Sequence, residues 1–205
     1  VIISSAINTL NPEFQEVQKH KLPLMHRSDL LNFFLAQRNN SITIAGTNGK
    51  STTSAMTSYL LYQLKKDPLA IIGAKMRNFD TLALCGKGDY SVAEADESDG
   101  TFLKYRPHVG VLTSVDLDHL DYYQDHNHIY QTYKQYLSNV NRDGALVLNI
   151  DDAHCQKLGE QFQTRQINYG FNPNAKVKAS NYICKNGESS FSVEISGKTH
   201  HAKLN

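Results

Sequence analysis

At 205 residues, with 21 basic and 20 acidic side chains and a formal net charge of +1, the chain is sized for one domain, or one domain plus part of a second. A charge this close to neutral gives no reason to expect a nucleic-acid or membrane surface, and no apolar run approaches the ~20 residues of a membrane span. Three cysteines (Cys85, Cys155 and Cys184), odd in number and in no C-x-x-C pair, fit a reducing compartment, so a cytoplasmic location is expected.

The first residue is Val1, not Met, and residues 1–7 read as a buried strand and its loop, so a piece of a longer protein is expected. Asn11-Pro12-Glu13 starts a helix, with Asn as cap, Pro at the first position and an acid in the first turn. Ser28 is expected to cap a second helix carrying Leu30, Leu31, Phe34 and Leu35 on one face. A strand over 42–45 follows, then a helix over 51–65 that stops at Lys65-Lys66-Asp67-Pro68. Apolar runs at 69–72, 90–95, 109–115 and 145–150 read as short buried strands. Between them lie a Tyr-rich helix over 128–140 and, after the last, a short helix capped by Asp151-Asp152. Strands alternating with helices predict an α/β fold, a mostly parallel sheet with helices on both faces. Beyond residue 163 the texture changes to alternating runs at 175–184, 188–195 and 198–204, split by Asn186-Gly187 and Gly197-Lys198. These predict a small antiparallel sheet near the C-terminus.

Chemistry concentrates at three strand ends. The first is Gly46-Thr47-Asn48-Gly49-Lys50-Ser51-Thr52, a glycine-bounded turn between a β-branched strand and a helix. Such a loop points backbone N–H groups and the helix dipole at an anion, which predicts binding of nucleotide phosphates. Lys50 would reach the terminal phosphates, and Ser51 or Thr52 would offer a hydroxyl to Mg²⁺. The spacing is the short G-x-x-G-K-S, because Ile44 stands where the longer G-x-x-x-x-G-K-[ST] loop has glycine.

The second end is Glu94-Ala95-Asp96-Glu97-Ser98-Asp99. Glu94 should lie at the end of its strand beside the phosphate loop, where Mg²⁺ on ATP would balance its charge. Asp96, Glu97 and Asp99 read as solvated loop acids or helix caps. At the third end, Asp116-Leu117-Asp118-His119-Leu120-Asp121, His119 is a candidate ligand or charge stabiliser. Of the other histidines, the pairs at 126 and 128 and at 200 and 201 have no partner Cys or acid at metal-ligand spacing and are expected to be exposed.

These stretches together resemble the Mur ligase family, ATP-dependent amide-bond ligases of peptidoglycan synthesis whose phosphate loop reads G-T-x-G-K-[ST]-[ST]. Ser4-Ser5-Ala6-Ile7 with Asn11-Pro12-Glu13, the Glu94–Asp99 run and Asp118-His119-Leu120-Asp121 look most similar to its L-alanine-adding members. Asn48 and Ser114 depart from those members' usual His and Asn. The resemblance implies a three-domain enzyme, of which residues 1–38 would end the UDP-binding N-terminal domain and 39–205 would form the central ATP-binding domain. It further implies ATP and Mg²⁺ as cofactors, UDP-N-acetylmuramate and L-alanine as substrates, and an acyl-phosphate intermediate. Catalysis would fall to Lys50, Glu94 and His119, with Mg²⁺ on Ser51 and Glu94 and a second near His119. Lys134 is either an exposed lysine or, as in several members of the family, a carbamoylated one. Another Mur-type ligase and a P-loop NTPase switch without ligase activity are the alternatives.

Overall fold

The structure, a computed structural model, describes residues 1–204; Asn205, the last position of the expected central domain, lies outside the described residues. The described residues run through β1 (Ile2–Ile3), α1 (Pro12–Lys19), β2 (Met25–His26), α2 (Arg27–Ala36), β3 (Asn40–Ala45) and α3 (Lys50–Gln63). They continue through β4 (Leu69–Met76), β5 (Thr81–Cys85), β6 (Tyr90–Glu94), a 3-10 turn (Thr101–Lys104), β7 (Val109–Leu112) and α4 (His126–Ser138). The last elements are β8 (Ala145–Asn149), α5 (Ala153–Gly159), β9 (Gln166–Gly170), β10 (Val177–Lys185), β11 (Glu188–Ile195) and β12 (Lys198–Leu204).

Strands β3 to β12 form one ten-stranded sheet in the order β12-β11-β10-β9-β8-β7-β3-β6-β4-β5. From β4 to β9 across its middle every pairing is parallel. Strand side chains alternate between faces, and helices cover both. Ala45, Ala93, Leu112 and Leu146 pack on one face beneath Leu35 of α2, Tyr133 and Tyr136 of α4, and Leu158 of α5. Their neighbours in sequence, Ile44, Val92 and Val111, pack on the other face with Leu61 of α3. Helix α3 meets the sheet through small residues: Ser54 and Ser58 are wholly buried, and the Ser58 hydroxyl donates to the Ser54 carbonyl at 2.8 Å. That close approach fixes the helix whose N-terminus closes the phosphate loop.

Several elements differ from the sequence reading. Only Ile2–Ile3 of residues 1–7 is a strand, paired in parallel with Met25–His26 outside the main sheet, and Ile2 is 55% exposed. Val1 is equally exposed, so the run lies at the surface and not in the core. His26, not Ser28, caps α2: its ring accepts from the Ser28 amide at 3.2 Å, while the Asp29 carboxylate accepts from the His26 amide at 3.3 Å. Ser28 lies buried inside the first turn. Two strands, β5 and β9, fall outside the runs that the sequence predicts as strands. The first is an antiparallel edge strand against β4, the second a half-buried parallel strand. The predicted antiparallel strands β10, β11 and β12 are present, with Asn186 and Gly187 at φ 53° and 82° in their tight turn. They continue the main sheet, because Val177 and Lys178 pair in parallel with Tyr169 and Gly170.

Candidate nucleotide-phosphate site

Strand β3 lies between β6 and β7, and the chain leaves it through α3 towards β4 on one side while β7 and β8 build out the other. Loops that follow strands on either side of such a reversal leave a crevice at the C-terminal edge of the sheet. All three predicted stretches meet there: Gly46–Thr52 follows β3, Glu94 ends β6, and residues 113–119 follow β7.

The 113–116 segment clamps the phosphate loop. The Thr47 amide donates to the Ser114 carbonyl at 3.0 Å, and the Thr47 hydroxyl donates to the Asp116 carbonyl at 3.1 Å. The same hydroxyl accepts from the Asp116 amide at 2.9 Å, and the Thr113 hydroxyl donates to the Asn48 carbonyl at 2.6 Å. Gly46, at φ 133°, makes this approach possible: a Cβ there would lie 2.1 Å from Thr113 Oγ1. Thr47 and Asn48 therefore shape the loop with their amides engaged. The amides of Lys50, Ser51 and Thr52 precede the first backbone bond of α3, from Thr53 to Gly49 at 2.9 Å, and are left for an anion. Gly49 caps the helix at φ 83°, and a Cβ there would meet nothing within 4 Å. A cleft of about 250 Å³ opens over Thr47, Asn48, Gly49, Lys50, Ser51, Thr52 and Glu94.

Glu94 stands where the sequence places it. The Ser51 hydroxyl lies 2.9 and 3.0 Å from its two carboxylate oxygens, and the Gly73 amide donates to Oε2 at 3.0 Å. Among the described residues no three His, Cys, Asp or Glu side chains are grouped to hold a metal. A hydroxyl and one carboxylate at the mouth of a phosphate loop do fit Mg²⁺, which takes most of its ligands from phosphate and water.

The reading of Glu97 as a solvated acid is overturned. Glu97 is wholly buried, and its Oε1 accepts from the Lys50 ammonium at 2.9 Å. Burial pushes its carboxyl above the usual carboxylate range, although the Lys50 hydrogen bond opposes the shift. Among the described residues its other oxygen has no hydrogen-bond partner. The Lys50 ammonium also donates to the Gly46 and Thr47 carbonyls, at 2.7 and 3.3 Å. The signal that finds Glu97 is the strand's two-residue period: continued past β6, it puts Ala93, Ala95 and Glu97 on one buried face. Gly73 was likewise missed.

His119 reaches the cluster through Glu97, with Nε2 3.8 Å from Oε1 and a backbone φ of 53°. Asp99 is half-buried, not solvated, and accepts from Ser5 and from the Thr101 amide and hydroxyl. Lys134 is half-buried on α4, and among the described residues its ammonium has no hydrogen-bond or ion-pair partner. His126, His200 and His201 are exposed as expected, whereas His128 is half-buried against the Tyr123 ring.

Residues 44–205 match the Mur ligase middle domain. Over 198 residues the chain is 38% identical to the UDP-N-acetylmuramate–L-alanine ligase of Desulfotalea psychrophila and 37% identical to that of Aquifex aeolicus. Each alignment takes in 97% of this chain and 43% of the relative, so the chain spans less than half the length of either. The UDP-N-acetylmuramate-alanine ligase MurC of Thermotoga maritima shares the fold, with a TM-score of 0.83 at 24% identity over 100% of this chain and 46% of that one. The matched residues run from the end of β3 through every strand end that builds the crevice, and the chain belongs to the Mur ligase family, whose middle domain it carries.

Proposed function

We propose that this chain supplies the ATP-binding part of a ligase that joins L-alanine to UDP-N-acetylmuramate. The observation that carries the reading is the Ser51–Glu94 pair beside Lys50 in one crevice, in a chain whose named relatives are L-alanine ligases. Residues 1–38, which lie outside the ten-stranded sheet, are read as the end of a UDP-binding domain, and 39–205 as the central domain. A cytoplasmic location is part of the proposal, supported by three unpaired cysteines. Among the described residues no helix is long and apolar enough to cross a membrane.

A carboxylate does not react with an amine directly, because oxide would have to leave. Transfer of the ATP γ-phosphoryl group to the muramyl carboxylate gives an acyl phosphate and ADP. The free amine of L-alanine then attacks the acyl carbon, the amide forms, the acyl C–O bond breaks and phosphate leaves. Phosphoryl transfer asks the protein for position and charge more than for covalent help. The amides of Lys50, Ser51 and Thr52 hold phosphate, Lys50 neutralises charge on it, and His119 adds a donor. Ser51 and Glu94 would hold Mg²⁺, which would offset the negative charge that develops in phosphoryl transfer. Lys134 is kept as an unmodified lysine, and bicarbonate dependence of the activity would overturn that choice.

The test is ADP release by the ligase that carries this chain, with UDP-N-acetylmuramate and candidate amino acids, in wild type and Glu94→Gln. Release that requires L-alanine and falls ~10²–10³-fold in the variant supports the reading. ADP release without any amino-acid requirement would favour the NTPase switch, and a requirement for another amino acid a different Mur-type ligase.

A further inference from the structure

We propose that Glu97 is a positioning residue of this site, holding the Lys50 ammonium across the phosphate loop in the orientation phosphoryl transfer uses. The inference rests on the ligase reading for its kinetic consequence but not for its geometry. Lys50 reaches its place over a flexible four-carbon stem, and that stem alone does not fix where the charge sits. The structure fixes it from two sides. Gly46 and Thr47 offer carbonyls from the loop, and Glu97 offers a carboxylate from the far wall, 2.9 Å away.

Glu97 is itself held. The Tyr123 hydroxyl donates to its carbonyl at 2.7 Å, and its side chain has no exposed surface. A carboxylate taken wholly out of water is unfavourable unless paired, and an apolar side chain would serve packing at least as well. The acid is also incompletely satisfied. Among the described residues its Oε2 lacks a hydrogen-bond partner, and beside it the buried phenol of Tyr133 on α4 is pushed up by burial and by the Glu97 charge. The His119 ring, 3.8 Å from Oε1, adds a third contact from the β7 side. One buried acid thus joins the lysine of the first strand end to the histidine of the third.

A melting cycle on the 205-residue chain tests the coupling: wild type, Lys50→Met, Glu97→Gln and the double variant. Lys50→Met should lower the melting temperature by leaving Glu97 buried without its cation, and adding Glu97→Gln should restore most of the loss. Additive effects would overturn the pairing. In the ligase, Glu97→Gln should lower kcat for ADP release by about tenfold or more, with the KM for ATP within about threefold, and Glu97→Asp should recover part of kcat. A merely structural acid would move stability without that split, and an unchanged kcat would sink the proposal. If Glu97→Gln does not fold, the double variant and Glu97→Asp still report the coupling. If wild-type ligase releases no ADP with any amino acid, the ligase reading fails, while the melting cycle still decides whether Glu97 holds Lys50.

Discussion

Gly73 holds Glu94 in place twice over: its amide donates to Glu94 Oε2 at 3.0 Å, and a Cβ on Gly73 would lie 2.9 Å from the same oxygen. The glycine sits within β4, outside the positive-φ region, so alanine is compatible with the backbone there. The atom it would meet is the free end of a side chain, which can move aside. Gly73→Ala should therefore leave the melting temperature nearly unchanged, within about 0.5 kcal/mol of stability. The displaced carboxylate should lower ATP-dependent turnover by about tenfold or more, since small misplacements of a reacting group are costly. Parallel melting and ADP-release measurements separate the two effects. Normal turnover in a folded variant would mean that the Gly73 contact does not set the position of Glu94.

Asn48 and Ser114, the two departures from the usual L-alanine pattern, are bonded to each other. The Asn48 amide donates to Ser114 Oγ at 3.0 Å. Ser114→Ala removes that acceptor from a solvent-exposed part of the clamp, a loss of about 0.5–1.5 kcal/mol. Binding of MgADP to the chain, followed by calorimetry, should weaken by about two- to tenfold. An unchanged affinity would show that the remaining clamp bonds are sufficient to shape the loop.

Asp99 supplies a pH dependence. Burial raises its pKa, but hydrogen bonds from the Ser5 hydroxyl and from the Thr101 hydroxyl and amide outweigh burial and hold it below the ordinary 3.8. The folded chain therefore binds fewer protons than the unfolded one just below that value. The stabilisation is present in full above pH 3.8 and is lost as pH falls through the folded pKa. Asp99→Asn should melt lower than wild type near neutral pH, and the gap should narrow progressively as the pH falls below 3.8. Ser5→Ala should give the same trend at smaller amplitude, because Ser5 ties the first residues of the chain to the acid run. A gap that stays constant with pH would show that the Asp99 charge has no part in the contact.

The phosphate loop was legible because its signals are local: a β-branched strand, glycines where backbone must pass close, and a lysine at the start of a helix. Glu94 was legible for a related reason, as an acid closing an apolar strand. Glu97 was not, since general polarity puts an acid at the surface and its partner Lys50 lies 47 positions away. Gly73 carries no motif, because its role exists only once β4 lies beside β6. Half-buried β9 alternates polar and apolar residues without the apolar run of β8, and the short run Leu82-Ala83-Leu84-Cys85 of β5 stands at the sheet's edge, where its side chains are only partly buried. His26 caps a helix with an imidazole, outside the Ser, Thr, Asp and Asn vocabulary of helix starts. The triple Val1-Ile2-Ile3 misled in the opposite direction, as an apolar run with only Met25–His26 to pair with.

The chain on its own should bind nucleotide and form no amide. The phosphate loop, Glu94, Glu97 and His119 all lie within the ten-stranded sheet and its connections, so the proposed anion site is carried by this chain. The curated relatives are more than twice as long, since the chain spans 43% of each. Ligation needs the muramyl carboxylate and the amine held in near-attack geometry, which can contribute ~7–11 kcal/mol of the barrier. Residues 1–38 form two helices and a two-residue ladder, which on the proposed reading are only the end of a UDP-binding domain. Without closure over the site, any acyl phosphate formed would meet water before amine. MgADP or a non-hydrolysable ATP analogue should raise the melting temperature of the 205-residue chain, and Lys50→Met should abolish the shift. Mass spectrometry after incubation with ATP, UDP-N-acetylmuramate and L-alanine should find no amide product. Finding it would mean that the acceptor and amine sites also reside in these residues.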